Sequence, residues 1–119
     1  MDYRPGTHLL MDLHGARHLT DADALRDALT AAARAAGATV LGAHFHTFPD
    51  RAGITGVVLL AESHISIHTW PEIGFAAVDI FMCGAAQPQR AADSLRTSLR
   101  PDREVLTEVQ RNQVSQPSL

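Results

Sequence analysis

Residues 54–83 read ITGVVLLAESHISIHTWPEIGFAAVDIFMC, and their pattern of apolar and polar residues indicates the fold class. From Ile54 to Thr69 there is no proline and only one glycine, Gly56. That run is longer than a typical strand, so we expect it to break near Glu62 and Ser63 into two strands. A further strand is predicted at 75–82, where apolar residues occupy both strand faces.

The segments on either side complete a mixed pattern of strands and helices. Further strands are predicted at 7–13 (THLLMDL), at 39–48 and at 103–109 (REVLTEV). Apolar residues at helical spacing predict helices at 21–36, followed by a C-terminal Gly37, and from Pro88 to Pro101.

The order is strand and helix, then four strands, then helix and strand. Two helices are too few to cover both faces of a five- or six-stranded sheet. The sequence therefore predicts an α/β (α+β) fold, a two-layer sandwich with a largely antiparallel sheet and both helices on one face. The apolar residues on both faces of 75–82 favour a partner on the uncovered face.

Composition restricts the classes of function. The 119 residues fit one domain, 1–119, and the formal net charge of -3, from 10 basic and 13 acidic side chains, does not suggest a nucleic-acid surface. The single cysteine, Cys83, rules out an internal disulfide and is compatible with a reducing compartment. No signal peptide or membrane-spanning run is recognised, so we expect a cytoplasmic protein that binds neither nucleic acid nor membrane.

The segment AESHISIHTWPE at 61–72 concentrates polar groups between two apolar runs. In strand geometry alternate side chains share a face, which separates Glu62, His64, Ser66 and His68 from Ser63, Ile65, Ile67 and Thr69. A turn at Glu62 would place the Ser63 hydroxyl at a constrained corner, from which it can attack the preceding carbonyl. Serine is also common in turns, and composition alone favours that ordinary interpretation.

A longer motif surrounds this serine. The run ESHISIHTWPEIGFAAVDIFMCG (62–84) resembles the signature of the small bacterial S-adenosylmethionine decarboxylases, which make a pyruvoyl cofactor from an internal serine. The resemblance extends to GTHLLMDLHGA, AAGATVLGAHFHTF and GITGVVLLAESH, and so covers about residues 6–84. The last 35 residues match only in general character.

The resemblance implies self-cleavage between Glu62 and Ser63, giving a β chain, 1–62, and an α chain, 63–119. The Ser63 hydroxyl would attack the Glu62 carbonyl to form an ester. Loss of the α-hydrogen would then expel the Glu62 carboxylate, and hydrolysis would leave residue 63 as the pyruvoyl group. The substrate amine would form an imine (a Schiff base) with this group, which accepts the electrons released with carbon dioxide.

By position, the resemblance also assigns roles to five other residues. His68 would be the processing base, and Thr55 of GITG would provide the processing hydroxyl that a serine provides in the family's GVSG. Cys83 would donate a proton to the substrate, Glu72 would hold the ribose hydroxyls and Phe48 would stack on adenine. From the residues alone, His68 could instead be a strand histidine bonded to the backbone, Cys83 a small buried apolar residue and Glu72 a solvated turn carboxylate.

The implied reaction converts S-adenosylmethionine into its propylamine derivative, the aminopropyl donor for spermidine synthesis. The implied assembly is a homodimer whose sites take Ser63 and Cys83 from one subunit, and Thr55, His68 and Glu72 from the other. Three alternatives stay open: a pyruvoyl decarboxylase acting on ornithine or arginine, an inactive proenzyme serving as a partner subunit, and a metal-binding module. The last would use His44 and His46, joined by His64 and His68.

Overall fold

The computed structural model describes residues 6–112 and arranges their strands in a single sheet. Its six strands are β1 (Gly6–His14), β2 (Val40–Thr47), β3 (Ile54–Leu60), β4 (Ser63–Trp70), β5 (Phe75–Cys83) and β6 (Arg103–Gln110). Their spatial order is β2-β3-β4-β5-β1-β6, and every neighbouring pair is antiparallel. Residues 1–5 and the polar segment QVSQPSL at 113–119 lie outside the described residues.

The two helices, α1 (Ala22–Ala35) and α2 (Pro88–Leu99), pack on one face of the sheet and enclose the core. Asp21 caps α1, since its Oδ1 accepts a hydrogen bond from the Ala24 backbone N–H at 3.0 Å. Gly37 follows α1 with a φ of 83°, the left-handed conformation that favours glycine. The predicted two-layer sandwich is confirmed, and the helix and strand bounds differ from prediction by one or two residues.

The predicted break in the long apolar run is also confirmed. β3 ends at Leu60, β4 begins at Ser63, and Leu60 pairs with Ser63 across the hairpin. Only Ala61 and Glu62 form the turn. This tight connection fixes the register of β3 and β4, and therefore which side chains lie opposite one another.

The second face of the sheet, which we call the open face, carries no helix within residues 6–112. Burial alternates along the central strands, with Ile65 and Ile67 buried on the helix side and His64, Ser66 and His68 on the open face. The registers place the side chains of β1, β3, β4 and β5 in cross-strand rows there. No helix among the described residues is long and apolar enough to span a membrane.

A buried threonine anchors the end of the hairpin opposite the turn. The Thr69 hydroxyl donates to the Leu19 carbonyl at 2.8 Å and accepts from the Ile54 N–H at 2.8 Å. Gly53 passes so close that a Cβ there would lie 2.9 Å from the Thr69 carbonyl oxygen. The start of β3, including Thr55, is consequently held firmly against the end of β4.

The edge strand β6 is joined to α2 through a cluster of charged groups. The Arg96 guanidinium donates to the Glu104 carboxylate and, at 2.6 Å, to Asp93. The hydrogen bond to Glu104 raises the pKa of Arg96 above its ordinary value, against the opposing effect of burial. Because arginine is already protonated near neutrality, this contact adds no pH dependence in that range.

Candidate active site

Ser63 lies directly after a strained turn residue. Glu62 has a φ of 61°, a left-handed conformation that costs a non-glycine residue about 1–2 kcal/mol. The strained residue contributes the carbonyl of the Glu62–Ser63 peptide bond. The bond predicted to be cut thus joins the two-residue turn to the first residue of β4, and its acyl side carries the strain.

Cys83 contacts both reacting groups of that peptide unit. Its thiol Sγ donates to the Glu62 carbonyl oxygen at 2.8 Å, and its backbone N–H donates to Ser63 Oγ at 3.1 Å. The antiparallel pairing of β4 with β5, in which His64 lies opposite Phe81, brings the end of β5 beside the start of β4. The structure therefore places Glu62, Ser63 and Cys83 together, and we call them the cleavage cluster.

The contact between the thiol and the Glu62 carbonyl was not predicted from the sequence, from which Cys83 was interpreted either as a proton donor to the substrate or as a small buried apolar residue. Glu62 and Cys83 are 21 residues apart, and nothing in that spacing reveals the strand register. A thiol hydrogen on a carbonyl oxygen is positioned to stabilise negative charge if that carbon is attacked.

Thr55 and His68 form a second pair on the open face. They lie opposite each other in the β3–β4 register, and Thr55 Oγ1 is 3.1 Å from His68 Nδ1. They line a cavity of about 400 Å³, open to solvent. Its other open-face lining residues are His44, His46, Val57 and Ser66. We refer to these two residues as the Thr55–His68 pair.

The two predicted substrate-binding residues lie at the same end of the sheet as the Thr55–His68 pair. Phe48 directly follows β2 with 41% of its surface exposed, and its N–H donates to the Gly53 carbonyl at 2.8 Å. Glu72 is in a short 3₁₀ turn, Pro71–Ile73, directly after β4. Its carboxylate Oε2 lies 3.5 Å from Arg51 Nη1 in the β2–β3 loop.

The cleavage cluster and the Thr55–His68 pair are at opposite ends of β4. His68 follows Ser63 by five positions within one strand, which corresponds to about 16 Å at 3.3 Å per residue. No side chain can cross that distance to deliver a proton. Within a single chain, the cleavage cluster consequently does not contact the predicted processing base and hydroxyl.

Comparison with known proteins connects these two clusters to one family. The family model for S-adenosylmethionine decarboxylase matches residues 7–112, which contain both clusters. The chain belongs to this family. The match also includes residues 85–112, which belong to the part of the chain where the motif resemblance was only general.

Individual decarboxylases of this family align over most of their length. The chain is 47% identical to the S-adenosylmethionine decarboxylase proenzyme of Parasynechococcus marenigrum, over 89% of this chain and 84% of that protein. It is 46% identical to the proenzyme of Aquifex aeolicus, over 82% and 74%. The crystal structure of the adenosylmethionine decarboxylase from Aquifex aeolicus superimposes with a TM-score of 0.77 at 40% identity, covering 98% of both chains.

The metal-binding alternative finds no support in the geometry. Within residues 6–112, no three side chains among His, Cys, Asp and Glu come close enough together to hold a metal ion. His44 and His46 project from β2 toward the same cavity as His68, and Thr55 and Val57 of β3 lie in register with them and separate them from β4.

Proposed function

We propose that this chain cuts itself between Glu62 and Ser63 and then decarboxylates S-adenosylmethionine at the group formed from Ser63. The observation that carries the proposal is the double contact of Cys83, whose thiol and N–H bond the Glu62 carbonyl and the Ser63 hydroxyl. Membership of the S-adenosylmethionine decarboxylase family supports this substrate over ornithine or arginine. The residues at this corner also fit a pyruvoyl group made from the serine, since the nucleophile and a carbonyl donor are both in place.

The first step converts the peptide bond into an ester. Ser63 Oγ bonds to the Glu62 carbonyl carbon, its proton passes to the Ser63 nitrogen, and the carbon–nitrogen bond breaks to leave a free amine. The Cys83 thiol donates to the oxygen that becomes negative, and such a donor commonly contributes about 10²–10³ in rate. Relief of the left-handed conformation of Glu62 also favours the reaction.

The second step removes the α-hydrogen of residue 63 and expels the Glu62 carboxylate from Cβ. The alkene that remains isomerises to an imine, and water then replaces the nitrogen as ammonia to leave the pyruvoyl group. His68 is the proposed base, with Nδ1–H donating to Thr55 Oγ1 and Nε2 free to accept the proton. In this arrangement the Thr55 hydroxyl keeps its own hydrogen, which it can donate during the first step to the oxygen that becomes negative on the Glu62 carbonyl.

Because His68 is about 16 Å from Ser63 in its own chain, we propose that a second copy supplies it. A two-fold axis running across the strands, between two open faces, places the start of β4 over the end of the partner's β4. The cleavage cluster of each copy then lies beside the Thr55–His68 pair of the other, as an isologous interface requires. Two sites form, each built from both chains.

In the decarboxylation itself, the pyruvoyl carbonyl supplies the electron sink for the bond that loses carbon dioxide. Cys83, which has lost its Glu62 acceptor after cleavage, is then free to deliver its thiol proton to the substrate α-carbon. Glu72 accepts hydrogen bonds from the ribose hydroxyls, and Phe48 stacks on the nucleobase. These two contacts give the nucleoside an advantage over ornithine and arginine, which lack both groups.

The proposed activity is tested by intact mass and carbon dioxide release on the same sample. We expect fragments of residues 1–62 and 63–119, the second carrying pyruvoyl, and release from S-adenosylmethionine at least about 100-fold faster than from ornithine or arginine. A Ser63→Ala chain should remain whole and inactive, whereas Ser98→Ala, on α2, should behave as wild type. A wild-type chain that stays intact, or a preference for ornithine or arginine, would contradict the proposal.

The role of the Thr55 hydroxyl leads to a graded prediction for processing. A Thr55→Val chain keeps the shape of the side chain but loses the hydroxyl, so self-cleavage should slow by about 100-fold. Thr55→Ser restores the hydroxyl and should cleave within about threefold of wild type. The time course on a denaturing gel measures both rates, and equal cleavage by the valine variant would remove Thr55 from the mechanism.

A further inference from the structure

His46 lies between the Thr55–His68 pair and Phe48, the ring that is proposed to stack on the nucleobase. It lies opposite Thr55 in the β2–β3 register, and Thr55 in turn lies opposite His68, so the three form one row on the open face. Its ring is exposed and forms part of the wall of the 400 Å³ cavity. Neither the self-cleavage nor the decarboxylation derived above uses this imidazole.

On its other side, His46 packs against Phe48. The two ring centroids are 4.7 Å apart and the rings meet at 81°, an edge-to-face arrangement. Such pairs prefer this geometry because the positive edge of one ring meets the negative face of the other. Within the described chain, Phe48 makes no other ring contact, so His46 is the aromatic group that sets its orientation.

We propose that His46 is a positioning residue for nucleoside binding, holding the Phe48 ring in the orientation that stacks on the nucleobase of the substrate. The inference rests on the proposed function, in which Phe48 meets adenine. It adds a residue that acts on substrate binding, before the chemistry, although its ring lies beside Thr55 in the same row. His46 should therefore affect how tightly the nucleoside binds, and leave the catalytic rate and self-cleavage unaltered.

The physical basis is preorganisation. Phe48 is the first residue of the loop after β2 and 41% of its surface is exposed, so without a neighbour its ring must be fixed when the nucleobase binds, and that ordering reduces affinity. With His46 in place, the ring is oriented before binding. An aromatic ring at position 46 suffices for this role, and the imidazole nitrogens are not required.

The test compares His46→Ala with His46→Phe, and uses Thr47→Ala as the matched control. Thr47 comes between His46 and Phe48 in the sequence. Its side chain is also exposed, but strand alternation places it on the opposite face of the sheet. For each chain, self-cleavage, kcat and KM for S-adenosylmethionine are measured. The dissociation constant of 5′-methylthioadenosine, a nucleoside without the amino acid portion, is measured by calorimetry.

We expect His46→Ala to raise both KM and the nucleoside dissociation constant by about three- to tenfold, the size of one edge-to-face contact. Its kcat and cleavage rate should stay within about twofold of wild type, and His46→Phe should restore both binding constants. The inference is overturned if His46→Ala binds as wild type, if it lowers kcat or cleavage instead, or if phenylalanine gives no recovery. Failure of the wild type to release carbon dioxide would overturn the proposed function, while the calorimetric comparison would still decide the role of His46.

Discussion

A Cys83→Ala chain is expected to lose two different rates. Self-cleavage should slow by about 10²-fold, because the thiol that donates to the Glu62 carbonyl at 2.8 Å is gone. Once cleaved, the protein should decarboxylate S-adenosylmethionine about 10²–10⁴ times more slowly, the range over which a positioned acid contributes. The backbone N–H of residue 83 still bonds Ser63 Oγ in the variant, so the nucleophile keeps its orientation.

The two effects are separable because self-cleavage happens once and turnover repeats. The variant is incubated until the gel shows complete cleavage, and only then is carbon dioxide release measured per pyruvoyl group. Cys83→Ser is the control: its hydroxyl can donate to the carbonyl and should recover most of the cleavage rate, but as a weaker acid it should recover little of the turnover. Unchanged cleavage in Cys83→Ala would show that the thiol–carbonyl contact has no role in processing, and unchanged turnover would assign the substrate proton to another group.

The second large effect is recovery of activity by mixing two defective chains. Coexpression of Ser63→Ala with Glu72→Ala yields a mixed dimer in which one site carries both lesions and the other carries none. If sites are shared as proposed, that dimer should show about half of wild-type activity, one site of the two-fold pair. Each pure variant should be inactive or weak, because every one of its sites contains the lesion.

This experiment needs two affinity tags, so that the mixed dimer is isolated from both parental dimers, and an assay below the KM of the wild type. Mixing Ser63→Ala with Cys83→Ala is the internal control, since both residues belong to the cleavage cluster of one chain. In that mixed dimer each site keeps one of the two lesions, and no recovery is expected. A Ser63→Ala and Glu72→Ala dimer as inactive as its parents would show that each site lies within one chain.

The sequence determined the fold class and the family, for reasons that are local. The apolar run from Ile54 to Thr69 exceeds a single strand and has to turn at its polar centre, and two helical patterns are too few for a sheet with two buried faces. These features depend on short-range periodicity, which requires no knowledge of register. The ESH motif likewise predicted Ser63 as the nucleophile and the Glu62–Ser63 bond as the cleavage site, because the order of residues in a long motif is itself specific.

Which of the predicted site residues come into contact depends on strand register, which is visible only in the folded chain. Register brings the Cys83 thiol onto the Glu62 carbonyl across 21 residues, and brings Thr55 opposite His68 across 13. The rise of a strand then places Ser63 and His68 about 16 Å apart although both belong to one motif. The family resemblance implied that Ser63 and His68 act from different subunits, and the extended geometry of β4 gives the physical reason why they do not meet within one chain.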